Sequence, residues 1–400
     1  MCKRFALAGL ALLAAACIRE PLFPGTPRSS HEPHVGHRAD SSARTDVVPP
    51  GEHVYLTAVR FPDGFAWQED TCAVEGTVWI DLYRDGDLVR SVPAGGSIHP
   101  DMHRCAGGHL YADRSGDSTT VVSRDGAELF RFAGREAIRG FLVREDGIHT
   151  LGQDRDGDGF NYRVDGRVVH RSETGRVLGG TDRPGAKGGA LTEDGEDVFY
   201  ACRLPSERGK KHVVMRDAEV FRTLQEDDDI LAFDFVGGKA CRVRTDWRRI
   251  YLCVDDQESL LKLSPDEYLV WSRMAAWEDD VLVLLHVAGL KGKRHFLQTA
   301  DGRIFQGKAG ETAEDLLVEG KRMGWTVIGD KGDLLRVRWS DGTATEIGGG
   351  FLASSRCVLL HEGHLFVALT GRDGAPNRFL QDGKSVDLPF NGYFTSVTVE

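Results

Sequence analysis

One dipeptide, Asp-Gly or a near copy of it, returns along this chain at an almost constant distance, and that recurrence limits the fold more than any other feature. The copies are YRDGDLVRSV around Asp85, SRDGAELFRF at Asp125, RVDGRVVHRS at Asp165, MRDAEVFRTL at Asp217, VDDQESLLKL at Asp256, TADGRIFQGK at Asp301, WSDGTATEIG at Asp341 and LQDGKSVDLP at Asp382. They stand 40, 40, 52, 39, 45, 40 and 41 residues apart. Asp-Gly between short apolar runs is the strongest local signal for a β-hairpin, because the turn that matches strand twist needs positive φ at both central positions.

A second turn precedes each of these by some 20 residues: FPDG at Gly64, CAGG at Gly108, REDG at Gly147, TEDG at Gly195, FVGG at Gly238, WEDD at Asp280, LVEG at Gly320 and LHEG at Gly363. Between the two lie more variable turns such as DRSGD, DRDGDG, PSERGK, TDW and TGRDGAP. Each unit is therefore expected to hold four strands, A to D, in an up-and-down meander. A lone meander of this kind has unpaired edges and one uncovered face, so its copies stack or close radially. The chain from Gly51 to Glu400 resembles the β-propeller class, an all-β fold, with eight four-stranded blades. Seven blades, or two separate β domains, are the alternatives. The resemblance is to an architecture: the Trp-Asp signature of WD40 repeats, the sialidase Asp-box and a kelch pattern are all missing. The final GYFTSVTVE follows the eighth hairpin and reads as a closing strand added to the first blade, hiding the ring's edges.

The 48 glycines against 14 prolines fit a chain of many tight turns. Its start, MCKRFALAGLALLAAAC, places Lys3 and Arg4 before an apolar run from Phe5 to Ala16, which reads as an export signal over residues 1–16. The run is too short to cross a hydrocarbon core of about 30 Å. Leu13-Ala14-Ala15-Ala16-Cys17 resembles the lipobox of bacterial lipoproteins, which implies cleavage before Cys17 and lipidation of that residue, palmitate included; Leu stands one place earlier than the usual pattern. An ordinary secretory peptide is the other reading. Residues 17–50 then form a proline-rich tether with too little apolar surface to fold, and residues 51–400 form the propeller. Losing residues 1–16 removes Lys3 and Arg4 and no acid, taking the net charge from −11 to −13. Such a surface repels phosphate backbones, so nucleic acid is not an expected partner.

Three groups of residues invite chemistry. In DRDGDG, Asp154, Asp156 and Asp158 offer carboxylates to calcium, resembling the calcium hairpins between propeller strands of integrin-type repeats, although Tyr162 stands where that class places a further Asp. A solvated acidic turn is the bland alternative. The loop SIHPDMHRC brings His99, Asp101 and His103 within five residues, and the tether holds His31, His34 and His37; both sets read as ordinary polar residues before they read as metal ligands. Apart from Cys2 and Cys17 there are six cysteines, at 72, 105, 202, 241, 253 and 357, and Cys241 and Cys253 flank a hairpin centred near Trp247, which makes them a candidate disulfide. No H-E-x-x-H, G-x-S-x-G or Walker loop is present.

These features describe a non-enzymatic lipoprotein of the bacterial cell envelope, anchored in the outer membrane by its acyl chains, whose propeller is a scaffold for a protein or glycan. The rival is a secreted propeller hydrolase or lyase with a metal-assisted site in the central channel.

Overall fold

The computed structural model describes residues 52–400 apart from 66–72, 98–101, 117, 179–189, 207–208, 225–228, 246–248, 256, 291, 309, 330–333, 350, 353–356 and 372–374. Cys17, the export signal, the tether with its three histidines, Cys72, His99 and Asp101 lie outside the described residues.

Among the described residues the regular elements are all strands, and they form eight antiparallel sheets. Blade 2 runs His103–Ala106, His109–Ser115, Thr119–Arg124 and Ala127–Ala133, and blade 3 runs Glu136–Arg144, Gly147–Asp154, Phe160–Val164 and Arg167–Ser172. In blade 4 the inner strand is split into Arg176–Leu178 and Thr192–Asp194, followed by Asp197–Ser206, Gly209–Arg216 and Glu219–Thr223. Blade 5 holds Asp229–Val236, Lys239–Thr245, Ile250–Val254 and Gln257–Leu260; blade 6 holds Tyr268–Trp277, Asp280–Gly289, Gly292–Thr299 and Ile304–Gln306. Blade 7 has Glu311–Glu319, Arg322–Gly329, Leu334–Trp339 and Ala344–Gly349; blade 8 has Phe351–Leu352 and Val358–His361 inside, then His364–Gly371, Asn377–Gln381 and Lys384–Leu388.

Blade 1 departs from the order expected of it. Val54–Arg60, Ala73–Arg84 and Asp87–Ser97 supply only strands B, C and D, and the last strand of the chain, Gly392–Val399, pairs with Val54–Arg60 as strand A. FPDG at Gly64 is accordingly a B–C connection, not an A–B turn. The first and last strands of the propeller meet where blade 1 would have had that turn, with His53 N donating to Glu400 O at 2.8 Å and Glu400 N to His53 O at 3.1 Å.

Both faces of the sheets are apolar. In strand B of blade 4, Tyr200 and Cys202 pack toward blade 3 while Phe199 and Ala201 pack toward Phe233 and Phe235 of blade 5. One hydrophobic cluster fills each junction from blades 1 and 2 round to blades 8 and 1, the last joining Phe366 and Phe379 to Leu56, Phe394 and Val397. At about 25 cal/mol per Å2 of apolar surface removed from water, these junctions are the main source of stability.

The Asp turns do more than reverse the chain. Asp85, Asp125, Asp165, Asp217, Asp255 and Asp382 all take left-handed φ between 47° and 53°. Each accepts a backbone N–H from strand B on Oδ1: Val54, Leu110, Ile148, Val198, Ala240 and Leu365, at 2.9–3.2 Å. Asp tolerates this conformation because its short side chain satisfies nearby backbone. In blade 5 the residue that does this is Asp255, one place before Asp256, which lies outside the described residues. Blades 6 and 7 use longer loops in which only Gly302 and Gly342 are left-handed, so Asp301 and Asp341 do not adopt the expected positive φ. In blade 6 the acid has moved to Asp280, whose Oδ2 receives Asp301 N at 3.2 Å.

Cys241 and Cys253 do not form a disulfide; both are free and buried. Cys241 lies opposite Val254 and Cys253 opposite Arg242, because Thr245 pairs with Ile250 and the hairpin centre falls between residues rather than on Trp247. One residue of slip puts the two thiols on opposite faces of the sheet.

At the junction of blades 6 and 7, His286 and His295 face each other across strands B and C, 3% and 1% exposed. Burial, helped by His295, lowers the His286 imidazole to about 4, and burial lowers His295 as well. An unfolded histidine titrates near about 6.5. Stability is thus intact above that pH and declines as pH falls toward 4, where the unfolded chain binds protons the folded chain refuses. For His286 the loss reaches about 3 kcal/mol at the low end. Urea midpoints at pH 7 and pH 4.5 should differ less in His286→Phe, which keeps the stack on Trp271, than in the native chain; an equal difference would refute this assignment.

Candidate functional site

Strand A of a blade starts on the face that carries the B–C and D–A connections, here called the upper face. Glu136 is the first residue of strand A in blade 3, and its carboxylate reaches over strand B to Arg163 on strand C. Arg163 donates from Nη1 and Nη2 at 2.6 Å each, and Asn161 Nδ2 donates at 2.9 Å. The reach is open only because residue 152 of strand B is glycine: a Cβ there would lie 2.0 Å from Glu136 Oε2. Arg163 also sits 4.1 Å from the ring centroid of Phe132 in blade 2. Glu136 N donates to Thr120 Oγ1 at 2.8 Å. The bracing fixes the backbone from which Arg135, Ala137 and Arg139 project.

Beside this brace, DRDGDG connects strands B and C. Asp154 N donates to Gly159 O at 2.8 Å and Asp156 N to Asp154 Oδ1 at 2.8 Å, so the turn is held by its own first aspartate. Arg155 N donates to Arg135 O at 2.9 Å, tying the loop to the D–A connection of the preceding blade. On the other side Gln153 Oε1 accepts Val177 N at 2.8 Å. Between these segments opens a polar cleft of about 700 Å3, walled by Arg135, Arg139, Arg155 and Arg176 together with Gln153, Asp154 and Asp156.

The three aspartates therefore turn to separate partners: Asp154 to backbone, Asp156 to Arg135 at 3.3 Å and Asp158 to Arg176 at 2.9 Å. Among the described residues, the group whose carboxylate and imidazole atoms do converge, all within 4.8 Å, is Glu52, His361 and Glu362. His103, the described member of the SIHPDMHRC set, is buried and bonds through Nε2 to Thr395 Oγ1 at 2.8 Å, joining blade 2 to the closing strand.

The arginines of the cleft and the Glu136 brace were not anticipated from sequence. A signal for the brace exists: a Glu at or just before strand A and an Arg on strand C recur in Glu267 with Arg294 and in Glu311 with Arg336 and Arg338.

No family model matches the chain, and no curated relative matches it. Among solved structures it is similar to BamB from Moraxella catarrhalis, at 10% identity and a TM-score of 0.46 over 72% of this chain and 87% of that one. It is similar to a prolyl endopeptidase at 11% identity and a TM-score of 0.46, over 75% and 48% of the respective chains. Oligopeptidase B from Trypanosoma brucei matches at 11% identity and a TM-score of 0.44, over 73% of this chain and 48% of its own. The chain thus spans about half the length of the two peptidases. At such identities and scores the likenesses carry no argument about activity.

Removing one partner of a buried ion pair strands the other charge, at a cost of about 3–5 kcal/mol. Glu136→Ala should lower the urea midpoint by that measure, whereas Glu128→Ala, which breaks the exposed pair with Arg131, should leave it unchanged. Similar midpoints for the two variants would remove the brace from this account.

Proposed function

We propose that this protein is a lipoprotein of the bacterial envelope, held in the outer membrane through acylated Cys17, and that its propeller is a non-enzymatic scaffold binding a protein or glycan at the upper face of blade 3. The observation that carries the reading is the arginine-walled cleft set on the Glu136 brace. Guanidinium groups present fixed forks of donors that match carboxylates and other oxygen-rich groups. The Arg135–Asp156 and Arg176–Asp158 pairs are exposed, and such pairs contribute about 0–1 kcal/mol, so a ligand can exchange for them at little cost. Calcium, if it takes Asp154, Asp156 and Asp158, competes with the same two arginines and frees them for the ligand.

Replacing Cys17 with Ser should move the protein from the membrane to the soluble fraction and abolish acyl labelling; unchanged partition with undiminished label would end the lipoprotein reading. For the cleft, a photo-crosslinking residue at Val177 should capture a discrete protein or glycan adduct in intact cells. The adduct should fall at least tenfold with Arg176→Glu and rise with millimolar calcium. Equal yield in Arg176→Glu would remove the cleft as the binding site, and indifference to calcium would remove the ion from the loop.

A further inference from the structure

A second set of convergent donors lies on the opposite side of the ring from the cleft, where blade 8 meets the start of blade 1. Glu52 stands just before strand B of blade 1, His361 ends strand A of blade 8, and Glu362 opens the A–B turn that follows. His361 Nε2 and Glu52 Oε2 are 2.9 Å apart, and the Glu362 carboxylate lies with them inside a 4.8 Å span. The turn bearing Glu362 is fixed from blade 7, whose Glu319 receives Gly363 N at 2.6 Å and also Glu362 N. Glu362 itself holds a left-handed φ of 48°. Its carboxylate makes no ion pair or hydrogen bond among the described residues, whereas that of Glu52 is shared with His361. One imidazole cannot neutralise both carboxylates.

The geometry points to a divalent transition-metal site at the junction of blades 8 and 1, with Glu52, His361 and Glu362 as ligands. Two ligand atoms about 2.1 Å from an ion and at right angles to each other are about 3.0 Å apart. The Glu52–His361 separation already has that value, so an ion replaces the hydrogen bond without backbone movement. Glu362 completes the third position from the solvent side, and water fills the rest. One imidazole with two carboxylates suits manganese, cobalt or zinc, with affinity rising along that series toward the later metals. The ion would join the residue that opens the ring to the last blade, so binding and ring closure are linked. This site is independent of the cleft on blade 3.

The test uses the full chain with His31, His34 and His37 replaced by Ala, so that the tether supplies no imidazole. Cobalt should bind at one equivalent with a visible ligand-field band, zinc should displace it, and zinc should raise the thermal midpoint. Glu362→Gln, at an exposed position, should keep the metal-free midpoint and weaken cobalt binding at least tenfold; His361→Ala should abolish the band. No saturable cobalt signal up to 1 mM, or equal affinity in Glu362→Gln, would overturn the assignment. Loss of binding in Asp156→Ala with retention in Glu362→Gln would move the ion to the blade 3 loop and overturn it equally.

Discussion

Everything in this structure depends on the need to cover both faces of every four-stranded sheet. Strands B and C carry apolar side chains in both directions, as Tyr200 and Phe199 do on successive positions of blade 4. A sheet of that kind cannot end a stack without exposing a face, and eight of them avoid the problem by closing. The closing strand belongs to the same solution: it covers the inner edge of blade 1 and delivers Phe394 and Val397 to the junction with blade 8.

Polar groups refine this apolar ring rather than create it. The Asp turns hold one face of blades 1–5 and 8 by linking the C–D turn to the start of strand B, and the Glu–Arg braces of blades 3, 6 and 7 hold strand A to strand C near the other face. The face with the braces is also where the cleft opens, so its arginines stand on a backbone secured from beneath. Preorganised donors of this type lose less entropy when a ligand arrives than donors on an unsupported loop.

The blade architecture was legible because its signal is local. An Asp-Gly turn carries its conformational demand within two residues, and repetition at near 40 residues turned that signal into a ring. The strand from Gly392 to Val399 was legible as a surplus after the eighth hairpin, but its consequence for Gly64 was not, since it required knowing that blade 1 lacks a strand A of its own. Cys241 and Cys253 illustrate the opposite limit. Their relation hangs on whether a loop has an odd or even number of residues, and a centre placed one half-step away exchanged the faces of the sheet. The cleft was hidden for a third reason: Arg135 lies on the connection before blade 3 and Arg176 opens the inner strand of blade 4, and nothing in their neighbours announces that DRDGDG will stand between them.

The pairing of the last strand with the first has a temporal side. Thr57 and Thr395 are hydrogen-bonded partners separated by 338 positions in the chain. At about 5–20 residues per second of synthesis, roughly 17–70 s pass between the appearance of the one and of the other. Throughout that interval strand B of blade 1 presents an unpaired edge, and Leu56, Ala58 and Val59 lack the cover they have in the finished ring. A nascent chain of this protein is therefore a sticky object until its final residues emerge, and its survival depends on whatever shields that edge in the meantime.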